Sequence, residues 1–347
     1  MSRKVKILIV DDSALVRNAL SNVFATDDAL EVIGTANDPY EAAHELRKSV
    51  PDVITLDIEM PKMDGLTFLR KLMQQHPIPV VVISTLTEKG TITALKALEY
   101  GAAGILAKPK INTKEELERS SIELCRIVHA ASRSNLTNLP IPNTYKPPAQ
   151  VPLENRSNKH VFALGASTGG TEALKKVIQS LPVDCPGVVV VQHMPAGFTK
   201  QFAQRLDAEC AVTVKEAENG DRLHPGLVLI APGNQHMLLK KIGFEYRVEV
   251  KEGPLVNRHM PSVDVLFKSV ARHAGMNAAG ALLTGMGRDG AKGLLDMRNA
   301  GAHTLAQDEE SCVVFGMPKE AIKMGAAEKI VPLTDVAATL LEMVSRK

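Results

Sequence analysis

The stretch LGASTGG, residues 164–170, follows an apolar run and precedes a segment with helical spacing. A serine among small residues at such a strand-to-helix corner fits two chemistries. Corners of the form G-x-G-x-x-G bind the phosphates of dinucleotides, whereas G-x-S-x-G corners expose a serine nucleophile. Both kinds of corner lie beyond the carboxyl end of a buried strand, so the stretch predicts a parallel α/β sheet around it.

Apolar runs and helical patterns alternate around this corner from Lys159 to the end of the chain. The runs HVFALGAS, GVVVVQHM, GLVLIAP, AAGALLTG and HTLAQD predict strands, and most of them are apolar enough to be buried on both faces. The segment 231–253 instead alternates as a β-hairpin does. We therefore expect residues 159–347 to form a doubly wound α/β domain with a mainly parallel sheet and some antiparallel additions.

The first 131 residues show the same alternation. Their apolar runs are VKILIV (5–10), EVIGTA (31–36), VITLD (53–57), PVVVIS (79–84) and GILAK (104–108). Five strands with helices between them predict a five-stranded parallel sheet of flavodoxin-like order, with a site at the carboxyl ends of the strands. Residues 132–158 contain five prolines and many Asn and Ser residues without periodicity, which is typical of a semi-extended linker.

Composition limits the classes of function. A chain of 347 residues suits two domains, and a net charge of +2 with 3% aromatic residues and no Trp argues against nucleic acid as a partner. The four cysteines are far apart and form no CxxC pair, which favours reduced thiols in a cytoplasmic protein. The N-terminal apolar run is too short for a secretory signal, and we expect no direct membrane insertion.

The dinucleotide hypothesis fails its own test. GASTGG has Ser167 where the middle glycine should stand, and the next strand ends in Gln192 and His193 rather than in an acidic residue. The sequence from Gly165 to Gly169 matches G-x-S-x-G completely. The corner is therefore predicted to present Ser167 as a nucleophile, which needs a base and an orienting carboxylate.

His193 is the candidate base because it ends the next strand, on the same sheet edge as Ser167, although strand-end histidines also have structural roles. The other histidines considered fall before strands or in turns and helices, namely His160, His224, His236, His259, His273 and His303. Asp289, in LLTGMGRDGAKG (282–293), is the candidate carboxylate, and it could also cap the helix that follows. The backbone N–H groups of Met286 and near Thr168 are candidate oxyanion donors.

Charged and hydroxyl side chains gather at the predicted strand ends of the first domain, namely Asp11, Asp12, Asp57, Ser84 and Lys108. Three adjacent carboxylates favour a divalent cation, and all-oxygen ligands favour Mg²⁺. A lysine and a hydroxyl opposite them suit phosphoryl transfer to one carboxylate, for which Asp57 is the best acceptor. The alternative is that these aspartates only cap helices or sit in turns.

At VDDSALVR, DIEMPKMDG, VIST and AKPK the first 125 residues resemble the receiver domains of bacterial response regulators. The resemblance implies that a histidine kinase phosphorylates Asp57, with Ser84 and Lys108 binding the phosphoryl group. It implies Mg²⁺ held by Asp11, Asp12, Asp57 and a backbone carbonyl near Glu59.

At GASTGG, QHMPAGFT, TGMGRDG, NRHMPSVDVLF and APGNQHM the second domain resembles the protein-glutamate methylesterases of bacterial chemotaxis, the CheB family. The resemblance implies an α/β hydrolase domain in which Ser167 is the nucleophile, His193 the general base and then acid, and Asp289 the orienting carboxylate. It implies hydrolysis of glutamate methyl esters on methyl-accepting chemotaxis receptors, with release of methanol and without a cofactor, together with deamidation of receptor glutamines. The implied phosphodonor is the chemotaxis histidine kinase CheA.

Two hypotheses about the whole chain remain at this point. In the first, the unphosphorylated receiver packs over the esterase cleft, and phosphorylation of Asp57 loosens it. In the second, the chain is a phosphorylation-controlled binding module whose G-x-S-x-G corner only holds an anion. Replacement of Ser167 by alanine separates an enzyme from a binder, because only the enzyme depends on that hydroxyl.

Overall fold

The computed structural model describes residues 3–60, 63–85, 87–108, 114–136 and 159–345. The chain divides into two compact units, Met1–Asn143 and Thr144–Lys347. This division falls within the predicted linker 132–158, of which residues 137–158 lie outside the described part. The domain bounds 1–131 and 159–347 therefore stay predictions.

The first unit is a five-stranded parallel sheet in the order β2-β1-β3-β4-β5, which confirms the predicted flavodoxin-like order. Its strands are β1 (Val5–Val10), β2 (Leu30–Ala36), β3 (Val53–Leu56), β4 (Val80–Ser84) and β5 (Gly104–Ala107). Its helices are α1 (Ala14–Phe24), α2 (Pro39–Lys48), α3 (Gly65–Gln75), α4 (Glu88–Glu99) and α5 (Lys114–Ala131). Because β1, β3 and β4 are the inner strands, their apolar runs are buried on both faces, as the continuous hydrophobicity predicts.

The second unit contains a seven-stranded sheet in the order β15-β14-β13-β6-β7-β10-β8, and every pair of neighbours is parallel. Its strands are β6 (Val161–Ala166), β7 (Gly187–Gln192), β8 (Thr213–Glu216), β10 (Leu227–Ile230), β13 (Ala278–Leu282), β14 (His303–Gln307) and β15 (Lys329–Val331). A separate antiparallel sheet contains β9 (Arg222–Leu223), β11 (His236–Ile242) and β12 (Glu245–Lys251). The predicted doubly wound domain with antiparallel additions is confirmed.

The helices of the second unit are α6 (Gly170–Gln179), α7 (Phe198–Glu209), α8 (Val263–His273), α9 (Ala291–Asn299), α10 (Met317–Lys323) and α11 (Val336–Ser345). All but α10 correspond to helical patterns in the sequence, with ends that differ by a few residues. The large apolar core joins α8 and α9 to the sheet through side chains such as Phe267, Leu294 and Val191.

The strand order of the second unit fixes where its site lies. The chain enters the sheet at β6 and continues to β7 on one side, while β13 later joins β6 on the other side. Strand order therefore reverses at β6, and such a switch point leaves a crevice at the carboxyl ends of the strands. Ser167 directly follows β6 at this position.

Candidate active site

The three glycines around Ser167 are required for three different reasons. A Cβ on Gly165 would lie 2.3 Å from Val263 Cγ1, so α8 can approach β6 only over a glycine. Gly169 has a φ of +76°, a left-handed conformation that L side chains rarely adopt. A Cβ on Gly170 would lie 2.2 Å from Gln192 Oε1. The corner is thus pressed against α8 and against the end of β7.

Ser167 itself is 4% exposed at the bottom of this corner. Its backbone N–H donates to the carbonyl of Thr284 at 3.0 Å, and its carbonyl accepts from Gly170 N–H at 2.7 Å. The serine backbone is therefore held between the segment after β13 and the first turn of α6, at the crevice edge where β6, β7 and β13 end.

The structure brings His193 and Asp289 together. Nε2 of His193 lies 2.8 Å from Oδ2 of Asp289, and the two side chains are only 4% and 1% exposed. An ionised carboxylate only accepts hydrogen bonds, so Nε2 carries the proton and Nδ1 is the basic nitrogen. Nδ1 is buried and has no hydrogen-bond partner among the described residues, so no hydrogen bond yet joins it to Ser167 Oγ.

Adjacent strands place the backbone of His193 at the same edge of the sheet as Ser167. Ala166 of β6 pairs with Gln192 of β7, so Ser167 and His193 follow neighbouring strand ends, and His193 N–H donates to the Ala166 carbonyl at 3.1 Å. Catalytic hydrogen bonds are often long or absent without substrate and form in the substrate complex.

Asp289 does not cap α9, contrary to one of its two expected uses. The N-cap of α9 is Gly290, without a side-chain hydrogen bond. The Asp289 carboxylate turns instead to the start of α8, where Val263 N–H donates to Oδ2 at 2.7 Å and Ser262 Oγ donates to Oδ1 at 2.8 Å. Asn257 Nδ2 donates to Oδ1 at 2.8 Å.

These contacts fix the charge of Asp289. Burial by itself would raise its pKa, but the hydrogen bonds from His193, Asn257 and Ser262 outweigh burial and hold the pKa well below the usual range. The N-terminus of α8 adds a favourable dipole. Asp289 is therefore ionised at neutral pH and able to orient and stabilise a protonated His193.

A tight turn at residues 256–259 carries the side chains of Asn257 and His259, which contact Asp289 and His193 respectively. Val256 and His259 exchange backbone hydrogen bonds of 3.1 and 2.9 Å, while Asn257 and Arg258 between them have φ values of +51° and +67°. The His259 ring stacks on His193 with a centroid distance of 3.6 Å and an interplanar angle of 11°. The sequence groups His259 with histidines that fall before strands or in turns and helices, and the structure places it in a turn where its ring contacts the candidate base His193. The motif NRHMPSVDVLF was the only sequence signal for it.

The two candidate oxyanion donors belong to segments next to Ser167. Thr168 directly follows it, and Gly285, the residue before Met286, approaches it so closely that a Cβ there would lie 2.6 Å from Ser167 Cβ. Neither the Thr168 nor the Met286 backbone N–H has a hydrogen-bond partner within the described parts of the chain. Their role in binding an oxyanion stays a prediction.

In the first unit the predicted carboxylates converge. Asp11, Asp12 and Asp57 each place a carboxylate oxygen within 4.8 Å of the others. Lys108 Nζ lies 2.7 Å from Asp57 Oδ2 and 3.0 Å from Asp11 Oδ2. Burial raises the pKa of Asp57, with the Asp11 charge adding to it, and this outweighs the opposing effect of Lys108.

Ser84 and Glu59 lie beside this cluster with other contacts. Ser84 Oγ donates to the Gly90 carbonyl of α4 at 3.2 Å, so its hydroxyl faces α4 in this structure. Glu59 N–H donates to Asp57 Oδ1 at 3.1 Å, which places its backbone next to the phosphoacceptor candidate. Phosphoryl binding by Ser84 and a metal bond from the Glu59 carbonyl stay predictions.

The fold and the site define a class of protein, namely a receiver-type α/β domain with a carboxylate–lysine pocket, joined to an α/β hydrolase-type domain with a buried Ser, His and Asp. The family models agree with this division. Residues 7–119 match the response regulator receiver domain, and residues 162–340 match the CheB methylesterase domain.

Relatives match over nearly the whole chain. The chain is 55% identical to a protein-glutamate methylesterase/protein-glutamine glutaminase of Geobacter metallireducens, with 98% of this chain and 99% of the relative covered. It is 53% identical to one of Anaeromyxobacter dehalogenans, with 99% and 97% covered. The crystal structure of the Thermotoga maritima CheB methylesterase catalytic domain matches with a TM-score of 0.52 and 40% identity, covering 53% of this chain and 98% of that one. The chain belongs to the CheB methylesterase family.

No helix in the described parts of the chain is both long enough and apolar enough to span a membrane.

Proposed function

We propose that this chain is a phosphorylation-activated methylesterase that hydrolyses glutamate methyl esters on methyl-accepting chemotaxis receptors and also deamidates receptor glutamines. The observation that carries the proposal is the buried pair of His193 Nε2 and Asp289 Oδ2, 2.8 Å apart, at the strand end next to Ser167. The names of the relatives support the choice of substrate.

The reaction begins with acyl transfer to Ser167. Its Oγ attacks the ester carbonyl carbon, and the hydroxyl proton passes to Nδ1 of His193, which becomes an imidazolium stabilised by Asp289. The tetrahedral intermediate collapses as the bond to the methoxy oxygen breaks, and His193 returns the proton so that methanol leaves. Water then attacks the acyl-serine with His193 again as base, which yields glutamate and restores Ser167.

Backbone N–H groups stabilise the negative oxygen of both tetrahedral intermediates. Thr168 N–H and Met286 N–H have no hydrogen-bond partner among the described residues, and each belongs to a segment next to Ser167. An oxyanion donor of this kind is worth about 3–4 kcal/mol of transition-state stabilisation. Glutamine deamidation follows the same path with ammonia as the leaving group, so the same site serves both reactions.

Phosphorylation of the receiver domain controls the methylesterase activity. Asp57 is the phosphoacceptor, and a kinase of the chemotaxis system, CheA, is the proposed phosphodonor. The three carboxylates fit Mg²⁺, because they offer only oxygen atoms and their like charges otherwise repel one another. Asp11, Asp12, Asp57 and the Glu59 carbonyl would hold the ion, which supplies positive charge for the incoming phosphoryl group. Lys108 neutralises a further phosphoryl oxygen, and Ser84 would donate a hydrogen bond to it after turning from α4.

The experiment that tests the proposed reaction is mass spectrometry of receptor peptides after incubation with the full chain. We expect the wild type to convert glutamate methyl esters and target glutamines to glutamates, and Ser167→Ala to convert neither. Equal conversion by the two proteins would contradict the proposal. An anion-binding module, the alternative function, would bind receptors with either residue and convert nothing.

A further inference from the structure

Gln192 stands at the end of β7, where a dinucleotide site would need an acidic residue. Its side chain instead makes hydrogen bonds within the candidate active site. Gln192 is the last residue of β7, and it is 3% exposed. Its Nε2 donates to the Ser167 carbonyl at 2.9 Å and to the His193 carbonyl at 3.2 Å. One amide group therefore joins the backbones of the nucleophile and the base.

The hydrogen bond from Gln192 to the Ser167 carbonyl also fixes the direction of the Thr168 backbone N–H. The Ser167 carbonyl and the Thr168 N–H belong to one planar trans peptide group, in which the two point in opposite directions. Gln192 Nε2 and Gly170 N–H both donate to this carbonyl, at 2.9 and 2.7 Å. With its carbonyl held by two donors, the peptide group cannot rotate, so the direction of the Thr168 N–H is fixed.

The second candidate oxyanion donor is held in the same way. The Met286 N–H shares its peptide group with the Gly285 carbonyl. That carbonyl accepts from Gly316 N–H at 3.1 Å and from Met317 N–H at 2.7 Å. Each donor thus belongs to a peptide group whose oxygen accepts two hydrogen bonds, and such bonds polarise the group and strengthen its N–H as a donor.

The amide orientation of Gln192 follows from its surroundings. Rotating the amide by 180° would put Oε1 against two carbonyl oxygens, so only the observed orientation makes hydrogen bonds. In that orientation Oε1 is buried without a hydrogen-bond partner in the described residues, and it lies where a Cβ of Gly170 would otherwise be. A buried unpaired acceptor costs stability, so the side chain is a poor choice for packing alone.

We propose that Gln192 is a positioning residue of the oxyanion site, which holds the Ser167 carbonyl so that the Thr168 N–H points at the oxygen of the tetrahedral intermediate. This inference rests on the proposed function, because it assumes that Ser167 is the nucleophile.

The first test is Gln192→Met in the full chain, which keeps the length of the side chain and removes both donors. We expect kcat to fall about 10- to 100-fold with KM unchanged, somewhat less than the loss of a whole oxyanion donor. Thr304→Val is the matched control. It removes another buried strand hydrogen bond of the same unit, from Thr304 Oγ1 to the Ala326 carbonyl at 2.7 Å, and should lower thermal stability without changing kcat.

A fluorophosphonate probe separates this inference from the proposed function, since the probe forms a tetrahedral adduct with a serine nucleophile and needs no receptor. No labelling of Ser167 in the wild type, with Mg²⁺ and a small phosphoryl donor present, would overturn the proposed function. Labelling of the wild type with a 10- to 100-fold slower reaction of Gln192→Met is the expected result. Equal labelling rates and equal kcat for the two proteins would overturn the role of Gln192.

Gln192→Glu provides a second variant should Gln192→Met fold poorly. A neutral carboxyl at this position can donate one hydrogen bond, whereas the ionised form donates none. We expect the ratio of its kcat to that of the wild type to fall as pH rises from 6 to 9. A ratio close to one over this whole range would contradict the proposal, because the ionised carboxyl donates no hydrogen bond to the Ser167 carbonyl.

Discussion

At the scale of single residues, Asp289 is the charge around which the hydrolase site is organised. Its two oxygens accept hydrogen bonds from His193, Asn257, Ser262 and Val263. These bonds keep its pKa low in spite of burial. The proton of His193 is thereby fixed on Nε2, and Nδ1 is the nitrogen that would act as the base in the proposed reaction.

Replacing Asp289 by asparagine tests this charge. The Asp289→Asn amide can occupy the same space, but it no longer stabilises an imidazolium and can hold the wrong tautomer of His193. We expect kcat to fall about a thousandfold to ten-thousandfold with little change in KM, as for the same exchange in other triads. Asp296→Asn, which removes a partly exposed carboxylate paired with Lys292, is the control and should leave kcat unchanged. A less than tenfold loss in Asp289→Asn would contradict the assigned role.

The raised pKa of Asp57 has a consequence for stability. Below the unfolded pKa of about 3.9 the carboxyl is neutral in both states, and it contributes nothing. As pH rises towards the higher folded pKa, the unfolded state ionises first, so stability falls. Asp57→Asn should therefore raise the unfolding temperature of the first unit at pH 7 and leave it unchanged near pH 3. Calorimetry of the full chain at pH 7 and at pH 3 measures both effects. An Asp57→Asn variant that is less stable than the wild type at pH 7 would show that the ion pair of Asp57 with Lys108 outweighs the cost of burying the Asp57 charge.

At the scale of elements, the corner between β6 and α6 is built for one conformation. Gly169→Ala would put a Cβ 2.6 Å from Val313 Cβ and would also force alanine to a φ of +76°. Gly220→Ala is the matched control, because Gly220 has a φ of +91° but nothing within 4 Å of its Cβ position. Both should lose about 1–2 kcal/mol of stability from the backbone alone. Gly169→Ala should lose further stability because its Cβ clashes with Val313, and it alone of the two variants should lower kcat. Equal losses of stability with unchanged kcat would mean that the corner relaxes without moving Ser167.

The sequence predicts the elements whose own residues form an apolar run or a clear alternation, and it misses those that have neither. Strands β3, β5 and β10 have only four residues each, but VITL, GILA and LVLI are apolar runs. Strand β8 is equally long, yet TVKE forms no such run, and neither do β9 (RL) and β15 (KIV) or the seven-residue helix α10. These elements are held by neighbours distant in the chain, as when the Gly285 carbonyl accepts from Met317 N–H at the start of α10.

The same distinction applies to the site. Ser167 and His193 directly follow strands, and Asp289 lies in the glycine-containing segment between β13 and α9, so the topology brings all three to one edge of the sheet. The roles of His259 and Gln192 are harder to predict from the sequence. The stacking of His259 on His193 and the hydrogen bond from Gln192 to the Ser167 carbonyl both depend on side-chain packing. No periodicity or spacing encodes such a contact.

At the scale of the whole molecule, control of the hydrolase by the receiver requires that the two phosphorylation states differ in affinity for the catalytic unit. Under the hypothesis of inhibition, deletion of residues 1–131 should raise basal methanol release above that of the unphosphorylated full chain. Unchanged turnover would exclude inhibition by the receiver. The deleted chain must first unfold cooperatively on heating and label Ser167 with the fluorophosphonate at least as fast as the full chain, so that loss of folding is not mistaken for loss of control.

Both the esterase reaction and its control by Asp57 can be measured by methanol release from receptors labelled on their methyl groups, with and without Mg²⁺ and a small phosphoryl donor. Wild type, Ser167→Ala and Asp57→Ala would be compared side by side. We predict release that requires Ser167 and that rises with the donor only when Asp57 is present. Release that persists in Ser167→Ala, or its absence from the wild type under every condition, would show that this chain is not a serine methylesterase.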